Sequence, residues 1–423
     1  MTDQLHSAEE LSATTKIFSA MPRKKFIGFL VTIFATTYVL FSSMIVIPVI
    51  YNYYVLFGDN LGMVNYVVSG GLLIAIVSNL VGARLMRRIS KRTLMLVGVA
   101  LFTVTATFQV AVLDIYYVAV MATLAGIGCG LVVIAAPALL SDAYPDEKKR
   151  GTMLGWYNSV GSLVGAALSA IAGLIAANAA SWTSVYWLYA ISGIVFVLAL
   201  LFVPKTPTDA EKALAAGTTT AEDRIPLLPM ASLSVAGFVL SLVYMVPVYF
   251  ISVLVLQNAL GDESTAGLLS SATTIGSAIG CAIFGLVFRL IGRLSPTIAF
   301  ALMTAALALI TLGNVAMVAL GCVLLGIAYG VGFVFYTVHA TSIVAPSKVA
   351  VGLSISWAAI NLGGFATTYF VSFLQGTLGI DPASQIVEVF PYLIAVTGVA
   401  TLVSVVLVVI TKRSTARTPV VTA

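Results

Sequence analysis

The sequence predicts an all-α membrane protein of twelve transmembrane helices, arranged as two pseudo-repeated six-helix bundles with both termini cytoplasmic. Three observations carry that prediction. Hydrophobic residues make up 60% of the 423-residue chain and charged ones 9%, against roughly a quarter charged in soluble domains. So much apolar surface needs lipid as its solvent, and mean hydropathy is +1.08. Twelve apolar stretches each approach the ~20 residues that cross the hydrocarbon core. A short basic pattern also repeats after 202 positions, Ala83…Arg87…Ser90-Lys91-Arg92 returning as Gly285…Arg289…Gly292-Arg293.

Taken in order, the chain opens with a polar tail, 1–25. No small-residue cleavage site is evident after it, so no removable signal peptide is expected. The first bundle, 26–203, holds stretches 26–50, 62–83, 93–112, 116–140, 151–177 and 183–203. A linker at 204–229, with Thr, Ala and scattered charge, parts six stretches from six. The second bundle, 230–411, holds 230–256, 265–288, 296–313, 315–344, 350–375 and 389–411, before a tail at 412–423. The weakest boundary lies between 296–313 and 315–344, where Gly313-Asn314 is the only punctuation.

Charge tests that segmentation independently. All 21 Lys and Arg residues fall in the tails, the linker or alternate loops. Arg84, Arg87, Arg88, Lys91 and Arg92 lie between the second and third stretches. Lys148, Lys149 and Arg150 follow the fourth, Arg289 and Arg293 the eighth, and Lys348 the tenth. The six loops of the other side carry none. Positive residues stay inside, so both termini are expected in the cytoplasm, and the +5 net charge reflects topology and not nucleic-acid binding.

Further pairs repeat at nearly the same offset. Pro145…Gly151…Trp156 returns as Pro346…Gly352…Trp357, Gly126 and Gly130 as Gly326 and Gly330, and Pro48 as Pro247, at offsets of 199 to 201. Such internal symmetry is how many transporters are built.

With these motifs in hand, the sequence resembles the major facilitator superfamily from about residue 26 to 411. The family's loop between helices two and three typically reads Gly, three residues, Asp, two residues, Gly, then Arg and another base. Here Ala83, Arg87, Ser90, Lys91 and Arg92 hold those places, and Gly285, Arg289, Gly292 and Arg293 hold the second copy. Pro145 to Gly151 resembles the family's loop after the fourth helix. Both basic copies depart in carrying Arg where the family usually has Asp. The resemblance implies a secondary transporter working by alternating access, with its first, fourth, seventh and tenth helices lining a central cavity.

Every Asp and Glu can be placed in a tail, a loop or a helix end, and no Lys or Arg sits in mid-membrane. Ionisable groups at depth mark proton relays and charged-substrate sites, so their lack fits a small neutral or lipophilic solute. His339, about five residues from the cytoplasmic end of the tenth stretch, is the exception: a titrating group for proton coupling, or a neutral imidazole bonded to a neighbour. Tyr329, Phe333 and Tyr336 share one face of that helix; Ser241, Tyr244 and Val248 share one in the seventh, and Thr37, Phe41 and Met44 one in the first. As cavity walls they would hold an apolar ligand with sparse hydrogen bonds; the alternative is packing against other helices. Asn158 and Asn361 read as interhelical bonds or substrate contacts. Gly151, Gly155, Gly161 and Gly165 in the fifth stretch, and Gly363-Gly364 in the eleventh, read as packing surfaces. Asp142 is expected to pair with Arg87, Arg88 or Lys91; with Arg150, Arg289 and Arg293 they are candidates for a cytoplasmic gate.

Other classes find less support. No HExxH, GxSxG or P-loop pattern occurs, which argues against an enzyme or a primary pump. With His6 and His339 the only histidines and three dispersed cysteines, no metal site or cofactor is expected. The fifth stretch lacks the Gly-Pro signature of the family's drug antiporters, which weighs against drug export. A transporter-like sensor or scaffold would normally bring a soluble output domain. The expected partners are a small-molecule substrate, the bilayer and, on the coupled reading, a proton, with the chain a monomer in a bacterial cytoplasmic membrane.

Overall fold

The computed structural model describes residues 17–86, 88–144, 146–208, 226–344, 349–380 and 386–415. The chain divides into two compact units, Met1–Glu222 and Asp223–Ala423, a division that falls within the linker read from sequence. Among the described residues the regular elements are all helical, as an apolar chain in lipid requires, since each main-chain N–H and C=O must find its partner within the protein. Eight of the described helical stretches are long and apolar enough to cross a membrane.

In the first unit the opening membrane segment is broken. Helix α1 (Arg23–Ala35) gives way at Thr36 to a single turn, α2 (Thr37–Leu40), then to two 3₁₀ turns (Ser42–Ile45 and Ile47–Val49), and only then to α3 (Ile50–Phe57). The single helix expected over 26–50 is therefore corrected. Thr36, Thr37 and Ser42 turn their hydroxyls back onto the carbonyls of Ile33, Phe34 and Val39 at 2.6, 2.6 and 2.7 Å, which bends helices. Pro48 removes one donor more. The unit continues with α4 (Leu61–Leu85), α5 (Lys91–Thr107), α6 (Ile115–Ala143) and α7 (Glu147–Asn178). The stretch expected as a helix over 183–203 starts as 3₁₀, Trp182–Ile191, before α8 (Ser192–Phe202).

The second unit is more regular. It comprises α9 (Leu227–Gln257), unbroken through Pro247, α10 (Glu263–Ile291), α11 (Ser295–Ile310), α12 (Val315–Ser342), α13 (Val349–Leu378) and α14 (Phe390–Thr415). The weak boundary at Gly313 is a real break: Gly313 takes φ +68° and the Asn314 side chain caps α12 by accepting from the Ala316 N–H.

The same packing partners recur in both units. In the first, α4 and α5 pack on α6, α5 on α8, and the broken segment on α7; in the second, α10 and α11 pack on α12, α11 on α14, and α9 on α13. Small residues permit the closest crossings. Gly326 and Gly330 of α12 sit so near α10 that an added Cβ would lie 2.1 Å from the Thr273 carbonyl oxygen and 2.3 Å from that of Ser277. Their repeat mates, Gly126 and Gly130, meet Ile74 and Ser78 of α4.

Candidate functional site

The second unit gathers most of the residues proposed as cavity walls. The ring of Tyr244 on α9 stacks on Tyr329 of α12, centroids 3.8 Å apart and planes at 11°. Tyr329 continues to Phe333 at 5.8 Å, and Phe333 meets Trp357 of α13 edge-on at 5.6 Å. The ladder runs from buried Tyr244 to Trp357, which is 38% exposed. Ser241, one turn before Tyr244, is buried with its hydroxyl facing that of Tyr329. Tyr336 shares the Tyr329 face by spacing, but its ring packs edge-on against Phe335 at 5.6 Å. Phe335 also stacks on His339, centroids 5.2 Å apart, and the His339 carbonyl accepts from the Ser342 hydroxyl at 2.9 Å.

The first unit treats its residues differently. Thr37 is buried with its hydroxyl on the Phe34 carbonyl. Phe41 lays its ring over Gly161 and Gly165 of α7, the close contact those glycines make possible, whereas Gly155 faces open space. Asn158 and Asn361 each donate from the side-chain amide to a carbonyl four residues back, Leu154 at 3.1 Å and Trp357 at 2.9 Å. Gly363 abuts the Phe238 carbonyl of α9.

Of the gate candidates, Asp142 pairs with Lys91, Nζ to Oδ2 at 2.8 Å, with side-chain exposures of 15% and 7%. The pair ties the end of α6 to the start of α5. Arg88 and Arg289 are exposed and Arg150 half-buried; Arg87, Pro145, Pro346 and the Arg293 side chain lie outside the described residues. Arg92, not singled out from sequence, donates through Nη2 to the Leu200 carbonyl at 2.7 Å, placing its charge at the negative end of α8.

Sequence reasoning also missed a tyrosine lattice around the broken segment. Tyr38 donates to the Leu188 carbonyl at 2.6 Å and Tyr189 to the Ser42 carbonyl at 3.2 Å. The hydroxyls of Tyr53 and Tyr186 bond to each other, Tyr157 bonds to Thr36 at 2.9 Å, and the Cys129 thiol reaches the Val39 carbonyl at 3.6 Å. Several of these donors serve carbonyls freed where the helix unwinds. No periodicity reveals that role, because half the lattice sits on a 3₁₀ segment.

Long apolar helices, packed on corresponding partners in each of two units, define a helical membrane protein built on an internal repeat. The chain belongs to the Major Facilitator Superfamily, which it matches over residues 26–254. Over 127 residues it is 27% identical to the Major facilitator superfamily multidrug transporter mfsC of Aspergillus fumigatus; that stretch is 30% of this chain and 24% of the relative, so the chain spans about a quarter of that curated relative's length. Solved structures share the fold. A bacterial homolog of the human lysosomal transporter Spinster, in an inward-facing and unoccupied conformation, aligns with TM-score 0.67 at 15% identity, covering 92% of this chain and 96% of that one. The nucleoside transporter NupG aligns at 0.68, with 14% identity over 90% and 98%. A D-xylose–proton symporter aligns at 0.63, with 16% identity over 89% and 96%.

Proposed function

We propose that this chain is a secondary active or facilitative transporter that moves a small neutral or lipophilic solute across the cytoplasmic membrane by alternating access, through twelve spans with both termini inside. The ladder Tyr244–Tyr329–Phe333–Trp357 carries this reading. It offers flat apolar faces within the second unit, and among the described residues no acidic or basic side chain is in a ring contact or hydrogen bond with it. Four of the described acids are engaged elsewhere: Asp114, Asp146 and Asp262 cap helices α6, α7 and α10, and Asp142 holds Lys91.

Thr37, Phe41, Asn158 and Asn361 remain candidates for the remaining cavity surface, and Lys91–Asp142 for one element of a cytoplasmic gate. A second reading, a proton-coupled multidrug or metabolite exporter with His339 as its titrating group, draws on the multidrug relative and on the position of His339 beside Phe335. Flux measured in vesicles, with and without a pH gradient, separates the two. Saturable, competed flux of uncharged solutes supports the first reading. Flux restricted to di-anions would overturn it, because a base now assigned to a loop would then have to reach the solute.

A further inference from the structure

The first unit carries a groove that the solute reading does not use. Helices α1 and α8 run antiparallel beside each other. Gly28, early in α1, lies so close to Phe202, at the end of α8, that an added Cβ would fall 2.3 Å from its ring. Tyr38, just beyond α1, reaches the Leu188 carbonyl, just before α8. Between these two contacts the helices part. A crevice of about 230 Å³ opens there between α1, α7 and α8, lined by Phe34, Ala35, Tyr38, Val164, Ile194 and Leu198. Its lining offers hydrocarbon, because the Tyr38 hydroxyl is taken by the Leu188 carbonyl. The surface around it is apolar and open: Ile194 is 61% exposed, and Leu163, Val197 and Leu201 are exposed beside it.

The same groove is basic at one end. Lys24, Gly28, Val31 and Ala35 recur at i, i+4, i+7 and i+11, a single stripe of α1 that leads from Lys24 to the crevice. Eleven residues of helix separate Lys24 from Ala35 by about 16 Å, close to half of the ~30 Å hydrocarbon core. Lys205 follows Phe202 by three residues at that same end, and both lysines are exposed. No Asp or Glu occurs within 17–40 or 182–208, so neither segment neutralises its own bases. An apolar slot one leaflet deep with two free ammonium groups at its mouth has the length and the charge pattern of an anionic phospholipid. Bases beside membrane helices attract such headgroups.

We propose that one anionic phospholipid, from the leaflet that meets the start of α1, binds along α1 and α8. Its phosphate sits between Lys24 and Lys205, and one acyl chain fills the crevice. The chain then lies against the turn at Thr36 where α1 gives way, and closes that turn off laterally. This site is separate from the aromatic ladder, shares no residue with it, and does not depend on which solute is carried.

Thermal shift of the detergent-purified full chain tests it, since a ligand of the folded state raises apparent stability. The probes are dioleoyl phosphatidylglycerol, dioleoyl phosphatidylcholine and glycerol phosphate. Phosphatidylglycerol should stabilise at lower concentration than phosphatidylcholine of the same chains, and glycerol phosphate should have no effect. Lys24→Gln and Lys205→Gln should each weaken the phosphatidylglycerol response roughly fivefold, with stability in the absence of lipid unchanged, and Lys24→Arg should restore it. Lys149→Gln, which removes an exposed base at the start of α7, should leave the response as it was. Ile194→Trp, on the exposed rim, should weaken both lipids by obstructing the crevice. Equal response to the two lipids, or a preference that survives loss of both lysines, would overturn the proposal. So would a loss in Lys149→Gln equal to that in Lys24→Gln, which would reduce the preference to net charge. A full response to glycerol phosphate, or lipid binding undiminished in Ile194→Trp, would remove the acyl chain from the crevice and overturn it as well.

Discussion

Tyr189 donates to the main-chain carbonyl of Ser42 across 3.2 Å, at the point where the first membrane segment leaves the α-helix. Four residues earlier on that segment Tyr38 donates the other way, to Leu188, the residue before Tyr189. Two irregular stretches are thus buttoned to each other by reciprocal phenols. In hydrocarbon a lone carbonyl has no water to turn to, so Tyr189→Phe should cost about 1–3 kcal/mol and Tyr38→Phe a similar amount. Hydrogen exchange should rise at residues 36–49 more than in α4 or α6. Exchange that rises evenly through the unit would show that the phenols do not act locally.

The Lys91–Asp142 pair is shielded enough that its loss should be felt. Exposed ion pairs contribute about 0–1 kcal/mol, but removing one partner of a buried pair leaves the other charge uncompensated. Asp142→Asn should therefore lower thermal stability by roughly 1–3 kcal/mol and raise cysteine-labelling rates near the start of α5. The exchanged pair, Lys91→Asp with Asp142→Lys, should recover part of the loss. Failure of the exchange to recover anything would assign the residues to other partners and not to each other.

Glycines that look alike in sequence separate sharply in space. Gly326→Ala would drive a methyl to 2.1 Å from the Thr273 carbonyl, and Gly330→Ala to 2.3 Å from that of Ser277. Backbone cannot yield as a side chain can, so each substitution should cost 1–3 kcal/mol or more. Gly155 on α7 meets nothing within 4 Å, and Gly155→Ala should be neutral or stabilise by about 0.5–1 kcal/mol through helix propensity. Thermal denaturation of the three variants under one detergent condition decides the order.

What the sequence disclosed follows from what periodicity and charge can report. Apolar length and the side-restricted bases marked the helices because lipid and the membrane surface act on every residue locally. The repeat was legible through glycine and proline but runs deeper, into the caps. Asn60 caps α4 where Asp262 caps α10, and Asp114 caps α6 where Asn314 caps α12; Asn and Asp interchange there because either oxygen accepts an end N–H. The break between Thr36 and Ile50 was hidden, because Ser, Thr and a late Pro in an apolar run read as one helix until the donors that permit unwinding, Tyr189 and Cys129, are known. The site was half legible: Tyr244, Tyr329 and Phe333 fall on helical stripes, whereas the meeting of Phe333 with Trp357 joins helices that no single stripe relates.

Proton coupling is the remaining point that residues can decide. A coupled transporter needs a group that takes up a proton facing one side and releases it facing the other. Asp114, Asp146 and Asp262 cap helices and Asp142 holds Lys91, whereas His339 lies within a membrane helix and is the residue type whose ordinary charge change falls between about pH 5 and 8. Its ring stacks on Phe335, a contact that a neutral imidazole makes without losing hydration of a charge. Solute flux down its own gradient should therefore persist in vesicles whose pH gradient has been collapsed, and His339→Gln should retain most of that flux. If flux instead follows the pH gradient, His339→Gln should uncouple the two, leaving exchange of solute intact while abolishing accumulation. Accumulation that survives in that variant would place the coupling group among residues outside the membrane helices described.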